Sequence, residues 1–295
     1  MIPVRKTLLL VFLVVISLTA MSASSFSSGP GTTAANFLKI GIGARGAAMG
    51  GAFTALVDDG TALYWNPAGL AQVEDAEILA MYNMHFQEIK QGYLSFAFPL
   101  LGGKAGLSAN YVDMGQIEGR DEYGNPTGNF GASDTYLSLG YARKFSSRLI
   151  FGLNAGVLQE IIAEDKKTTY LGNVGLLIIG KFLSFGLTCQ NIGSNLGEDS
   201  LPLAYRAGIA LKLESFNIEA DAVKEIDNDI YYCAGLEWWI ANILALRAGY
   251  RTGQDIGSGI SYGAGLKIGN TNIDYAYVPY GDLGTTQRIS LKIRF

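Results

Sequence analysis

One histidine, His85, and two cysteines, Cys189 and Cys233, are all that this 295-residue sequence offers to a zinc centre. Structural and catalytic zinc sites draw on sets of three or four Cys, His and carboxylate ligands, so no metal site of the usual kind is expected. No serine or acid motif accompanies His85, so no catalytic residue is assigned and an enzyme is not expected. Charge is scarce too. Asp, Glu, Lys and Arg make up 16% of the chain, against roughly 25% in ordinary soluble domains. The net charge of −4 and pI near 5.1 lack the basic excess of a nucleic-acid binder, so no nucleic-acid partner is expected. Beyond the N-terminal segment no window supplies the ~18 uninterrupted apolar residues of a transmembrane helix. What is abundant is glycine, with 38 residues, and aromatics, with 16 Tyr and 14 Phe. With a mean hydropathy of +0.21, this composition fits neither a helical membrane protein nor a disordered chain.

Residues 1–23 have the order of a secretory signal peptide. Arg5 and Lys6 precede the apolar run Leu8 to Leu18, and small residues follow around Ala20, Ser22 and Ala23. The run is too short to span a bilayer as a helix, and cleavage is expected after Ser22 or Ala23. No cysteine lies nearby to carry a lipid. An exported chain without a membrane helix is either a soluble protein or an outer-membrane barrel.

From residue 76 to 295 the sequence alternates with period two, which is the pattern of strands with two unlike faces. In the last segment Ile289, Leu291, Ile293 and Phe295 fall on one face and Arg288, Ser290, Lys292 and Arg294 on the other. Segments around Phe216 to Val223, Leu183 to Gln190 and Ile260 to Ile268 repeat the split. About fourteen such segments follow one another, joined alternately by tight turns and longer connections, the latter including Asp113 to Ser133, Glu160 to Lys167, Asn191 to Pro202, Lys224 to Asp229 and Thr252 to Gly257. Short turns on one rim and longer loops on the other are the asymmetry of outer-membrane barrels. The expected fold is therefore all-β, a transmembrane antiparallel barrel of about fourteen strands with both termini on the periplasmic side. Tyr231, Tyr232, Trp238, Trp239, Tyr250, Tyr277 and Tyr280 cluster near segment ends, where such rings sit at headgroup level or serve as ordinary core residues.

The inward face is rich in small residues at Gly106, Ser108, Asn110, Gly152, Asn154, Gly156, Asn173 and Gly175, leaving room in the lumen. Residues 24–75 do not alternate and are the candidate filler, a plug in which Ala44 to Val57 reads as a small-residue helix. A periplasmic extension is the alternative. Gly41-x-Gly43-x-x-Gly46 matches the dinucleotide fingerprint, but the βαβ unit that would confirm it is missing, so the glycines are assigned to close packing and no cofactor is expected. Phase alone turns Arg206, Lys212, Glu219, Asp221, Glu237, Arg247, Lys267, Asp274, Arg288 and Lys292 inward. They either pair with one another and with Arg45, Asp58 and Asp59 to hold the plug, the preferred reading, or line a polar path or headgroup site. Cys189 and Cys233 lie three segments apart, beyond disulfide reach, so two free thiols are expected.

The run from Asn36 through Arg45 to Ala55, then Asp58-Asp59-Gly60, then Leu63-Tyr-Trp65-Asn66-Pro67-Ala68-Gly69-Leu70, resembles the N-terminal region of the PorV/PorQ proteins, and the uncharacterised UPF0164 group is similar. These resemble a branch of the FadL-type fourteen-stranded barrels. The resemblance implies that Trp65, Asn66, Pro67 and Ala68 belong to a plug inside the barrel, and that Phe295 is a terminal aromatic read by the barrel-assembly machinery. It also implies outer-membrane lipid as the surroundings. Two functions are implied: passage of hydrophobic or amphipathic small molecules, fatty-acid-like, past Asn66 and Pro67, or a non-conducting barrel that docks secretion-system proteins. Transport calls for a continuous apolar cavity beside the plug and docking for a sealed lumen. The modest loops lean to transport.

Overall fold

The computed structural model describes residues 29–254 and 256–295. The signal-peptide reading of residues 1–23, and the first residues of the segment 24–75, lie outside them. Fourteen strands follow in order: β1 (Glu77–Met84), β2 (Lys90–Leu100), β3 (Gly103–Arg120), β4 (Pro126–Lys144), β5 (Leu149–Ile162), β6 (Asp165–Ile179), β7 (Leu183–Gly193), β8 (Ala204–Lys212), β9 (Phe216–Glu225), β10 (Tyr231–Ile240), β11 (Leu244–Arg251), β12 (Ile260–Ile268), β13 (Thr271–Pro279) and β14 (Thr285–Arg294). Each pairs antiparallel with its sequence neighbours, and β1 closes on β14 in the register Ile78 opposite Ile293, so the sheet is a closed barrel without an edge. The expected fold and strand number are both found.

Alternation is what closes the barrel this way round. On β14, Ile289 and Leu291 are exposed on the outer wall while Arg288, Ser290 and Lys292 are buried inside. Most of the exposed large apolar side chains sit on this outer face, which reverses the pattern of a water-soluble protein and suits a wall set in hydrocarbon. No described helix is long and apolar enough to cross a membrane. The turns at 101–102, 145–148, 180–182, 213–215, 241–243 and 269–270 form one rim, with both ends of the barrel chain, and the connections at 85–89, 121–125, 163–164, 194–203, 226–230, 252–259 and 280–284 form the other. Two expected loops are instead strand. Asp113 to Ser133 is mostly the projecting hairpin of β3 and β4, and Glu160 to Lys167 is a tight β5–β6 hairpin. In the first, Gly115 (φ 72°) and a register shift between Asp113 and Gln116 break the alternation that would have marked the strands.

Residues 36–73 fill the lumen. They hold a 3-10 turn (Asn36–Lys39), helix α1 (Ala44–Ala48), helix α2 (Ala62–Trp65) and a second 3-10 turn (Pro67–Gln72). Helix α1 packs on β11 to β14, and the second 3-10 turn on β3 to β6 across the barrel. The helix expected over Ala44 to Val57 stops at Ala48, because Gly50 (φ 68°) and Gly51 (φ 83°) take left-handed conformations that break it. Asn66 caps the second 3-10 turn, its side chain accepting from the Ala68 N–H, with Pro67 in the first position where a missing N–H costs nothing. The apolar core is formed between plug and wall, with Phe53, Leu56, Leu63 and Leu70 of the plug against Ile150 and Leu177. Inward glycines are the seats. A Cβ on Gly235 would stand 2.7 Å from the Met49 carbonyl oxygen, and one on Gly249 would meet the backbone nitrogen of Gly50.

Candidate functional site

The seam between plug and barrel carries the chemistry of the molecule. The plug has little regular structure of its own, so its backbone N–H and C=O groups need partners, and inward side chains of the wall supply them. Glu219 accepts from the N–H groups of Ala55 (2.5 Å) and Leu56 (3.0 Å). Asp221 accepts from the N–H groups of Phe53 and Thr54 (3.2 Å each) and from the Thr54 hydroxyl (2.6 Å). Arg206 donates to Asp221 (3.2 Å) and to the Gly51 carbonyl, and its guanidinium lies 4.9 Å from the Trp65 ring centroid. Asn154 donates to the Leu63 carbonyl, and Gln190 to those of Tyr64 and Trp65. On the other side Ser290 accepts from the Ala44 N–H (2.9 Å), and Arg288 donates to the Gly41 carbonyl (2.9 Å).

Ion pairs complete the clamp. Arg45 reaches Glu237 (2.8 Å) on the wall and Asp58 (2.6 Å) within the plug; Arg247 bridges Glu237 and Asp274, 2.7 Å from each. Lys292 stands 3.7 Å from Asp59, whose carboxylate also caps Thr61. Asn66 donates to the carbonyls of Thr54 (2.9 Å) and Leu176 (3.2 Å), so it ties two stretches of the plug to each other and to β6. Trp65 donates its indole N–H to the Ile42 carbonyl (2.8 Å). Its ring lies over Gly41 and Gly46, where a Cβ would come within 3.0 Å and 2.8 Å. Two glycines of the fingerprint are thus a bed for an indole, while Gly43 lies against the Thr61 side chain. Pro67 and Ala68 pack over Gly152.

Most of the inward charges expected from phase are therefore brought together, but Lys212, Lys267 and Arg288 make no ion pair among the described residues. Lys267 is exposed at the short-turn end of β12 and has no ion pair among the described residues, because its strand outruns the plug there. Tyr231, expected near headgroup level, faces inward and is buried, its hydroxyl donating to Glu225 (2.8 Å). Cys189 lies on the outer face and Cys233 is buried inside, both as free thiols. Phe295 is exposed and, among the described residues, is hydrogen-bonded through its backbone N–H to the Ala76 carbonyl (2.9 Å).

Several clamp residues had escaped the sequence reading. Glu77 accepts from the Gly60 N–H (2.7 Å), and Lys39 pairs with Asp227 (2.6 Å) in the β9–β10 loop. Burial works against the Asp227 charge, but Lys39 and the Thr33 hydroxyl hold its carboxyl below the usual value. Inward phase would have found Glu77. Nothing in the pattern marks Asp227.

Two hollows flank the seam. A cavity of about 200 Å³ lies between plug and wall toward the long-loop rim, lined by Lys39, Trp65, Arg206, Tyr231, Arg251 and Arg288 among others. A larger apolar hollow of about 1180 Å³ is on the outer wall across β2 to β7. It exists because Ala109, Ala155 and Gly172 face outward between larger neighbours such as Leu107, Leu137, Leu153 and Tyr170. Behind the same wall a small inner cavity of about 20 Å³ shares Ser108 and Asn173 with it. Asn173 sits at an irregularity of the β6–β7 pairing.

The model of the uncharacterised protein family UPF0164 matches residues 12–110. No curated protein matches the sequence. Among solved structures, the toluene transporter TbuX of Ralstonia pickettii superposes with a TM-score of 0.66 at 14% identity, over 86% of this chain and 98% of that one. The monoaromatic hydrocarbon channel CymD gives 0.67 at 12%, over 87% and 98%. The toluene transporter TodX of Pseudomonas putida gives 0.65 at 14%, over 85% and 96%. These neighbours are transporters and channels rather than enzymes. The N-terminal third thus matches UPF0164, and the chain as a whole has the fold of the FadL-type outer-membrane barrels.

Proposed function

We propose that the protein admits hydrophobic or amphipathic small molecules across the outer membrane, with its termini and short turns in the periplasm. The observation that carries this reading is the apolar hollow on the outer wall, backed by an inner cavity behind Ser108 and Asn173. Only small side chains and backbone separate the two, so a hydrocarbon partitioned into the membrane meets the thinnest part of the wall there. Resemblance of the fold to hydrocarbon channels supports it. A route straight past Asn66 and Pro67 would have to break the three hydrogen bonds of the Asn66 side chain. The test is uptake of labelled toluene and decanoate by cells that express the protein in place of their own transporters. Uptake above the empty-vector level, cut several-fold by Ala155→Leu with the barrel still folded, is the expected result; uptake no higher than the vector control overturns the reading.

A second reading, a non-conducting barrel that docks secretion or surface-attachment proteins, is favoured by one observation: the lumen cavities found beside the plug are small and the plug is bonded all round. Loss of exported proteins from the cell surface in a deletion strain, with hydrocarbon uptake unchanged, would select it.

A further inference from the structure

The 200 Å³ cavity at the long-loop rim holds more positive charge than the plug clamp uses. Four cationic side chains line it, and among the described lining residues Glu225 is the one carboxylate. Glu225 is occupied by the Tyr231 hydroxyl and the Asn228 amide (2.6 Å). Lys39 is engaged by Asp227, and Arg206 by Asp221. Arg251 and Arg288 are different, since neither has an ion pair among the described residues. The side chain of Arg288 is buried, with the residue 5% exposed, and its Nε has no hydrogen-bond partner; its one anchor is the Gly41 carbonyl. The Arg251 Nε is likewise buried and unpartnered, and its guanidinium lies 4.1 Å from the Tyr231 ring centroid. His85 Nδ1 and Gln254 Oε1, on two loops over the same cavity, are also buried without partners.

Buried guanidinium groups without a counter-charge are costly, and an unpaired buried N–H adds to that cost. A planar oxyanion removes both costs at once, because a carboxylate matches the guanidinium fork and accepts from it at two oxygens. Trp65 and Tyr231 line the cavity beside the charges, Tyr231 with Arg251 over its ring. The volume is below the ~300 Å³ at which pockets for drug-sized ligands begin, so an extended acyl chain does not fit.

We infer that this cavity binds a small organic carboxylate of about the size of benzoate, its carboxylate held between Arg251 and Arg288 and its body against Trp65 and Tyr231. The site does not depend on anything passing through the barrel.

The test is calorimetric titration of the folded full-length barrel in detergent at low ionic strength with benzoate, benzyl alcohol, inorganic phosphate and decanoate. Saturable benzoate binding is expected, with no benzyl alcohol binding in the same range and at least tenfold weaker benzoate binding in Arg251→Gln. Arg251 makes no ion pair to the plug among the described residues, so this variant keeps the plug seated, and Arg251→Lys should recover part of the loss. No benzoate binding to folded protein, or equal binding by Arg251→Gln, overturns the inference. Tighter binding of phosphate would make this an inorganic-oxyanion site, and tighter binding of decanoate a headgroup site for an acyl amphiphile; either overturns it as stated. Titration reads binding alone, so its failure leaves hydrocarbon uptake untouched, and failure of uptake leaves this site untouched.

Discussion

Replacing Arg45 by Met tests whether ion pairs hold the plug. Arg45 is the link between plug and wall at this point, 2.8 Å from Glu237 and 2.6 Å from Asp58. Its loss leaves Glu237, Arg247 and Asp274 buried with one net negative charge. Breaking a buried pair from one side costs about 3–5 kcal/mol, mostly as the penalty of the charge left behind. Glu237 still has Arg247 (2.7 Å) and Asn217 (2.8 Å), and the Asp58 side chain, 35% exposed, is partly solvated. The expected loss is therefore near the lower end, about 3 kcal/mol. At about 1.4 kcal/mol per tenfold change in an equilibrium constant, plug opening becomes about a hundredfold more frequent. Hydrogen exchange of amides 44–57 reads this directly, and strand amides on β2 to β5 serve as the internal control. Adding Glu237→Gln removes the surplus charge while keeping an acceptor for Arg247, so the double variant should recover about 1 kcal/mol, an interaction that a double-mutant cycle isolates. Exchange within threefold of wild type in Arg45→Met, or a double variant worse than the single one, would refute the reasoning.

Gly249→Val places a side chain against the Gly50 backbone and should sharply lower the yield of folded barrel, read as loss of the compact, heat-modifiable band on gels. His85 lies in the β1–β2 loop, and burial together with nearby Arg288 pushes its imidazole down to about 4. Its pKa is thus lower in the folded than in the unfolded chain, so its contribution to stability is complete above about pH 6.5 and is lost as pH falls toward 4. The thermal midpoint of wild type should accordingly fall more steeply than that of His85→Gln between pH 7 and 4.5, and parallel curves would show that the buried imidazole is not responsible. Phe295→Ala removes an exposed ring from a residue hydrogen-bonded through its backbone, so refolding in vitro should be unchanged while outer-membrane insertion in cells drops several-fold. Normal insertion would remove Phe295 from the role of assembly signal.

Much of this architecture was legible because a strand with lipid on one side and a polar lumen on the other must alternate, and that requirement is local. The fourteen segments, the two unequal rims and the inward phase of Glu219, Asp221, Glu237 and Arg288 all follow from a period of two. Where local signals conflicted, the reading slipped. Ala44 to Val57 is rich in helix-forming alanine, yet Gly50 and Gly51 turn the chain after Ala48, and Gly115 hid the hairpin of β3 and β4. Lys267 has the right phase but lies beyond the reach of the plug, a matter of position along the barrel axis on which phase is silent.

The sequence alone determined which face of each strand meets hydrocarbon, because transfer of each side chain between lipid and water is a property of that residue. Only the tertiary structure decided how the charges share one another. Whether Arg45 meets Glu237, why Gly249 has no side chain, and why Arg251 and Arg288 face a cavity whose one described carboxylate, Glu225, is bonded elsewhere depend on the path of an irregular plug through a closed barrel. That path is set by contacts between residues as much as 247 positions apart, such as Gly41 and Arg288, and no local pattern encodes it.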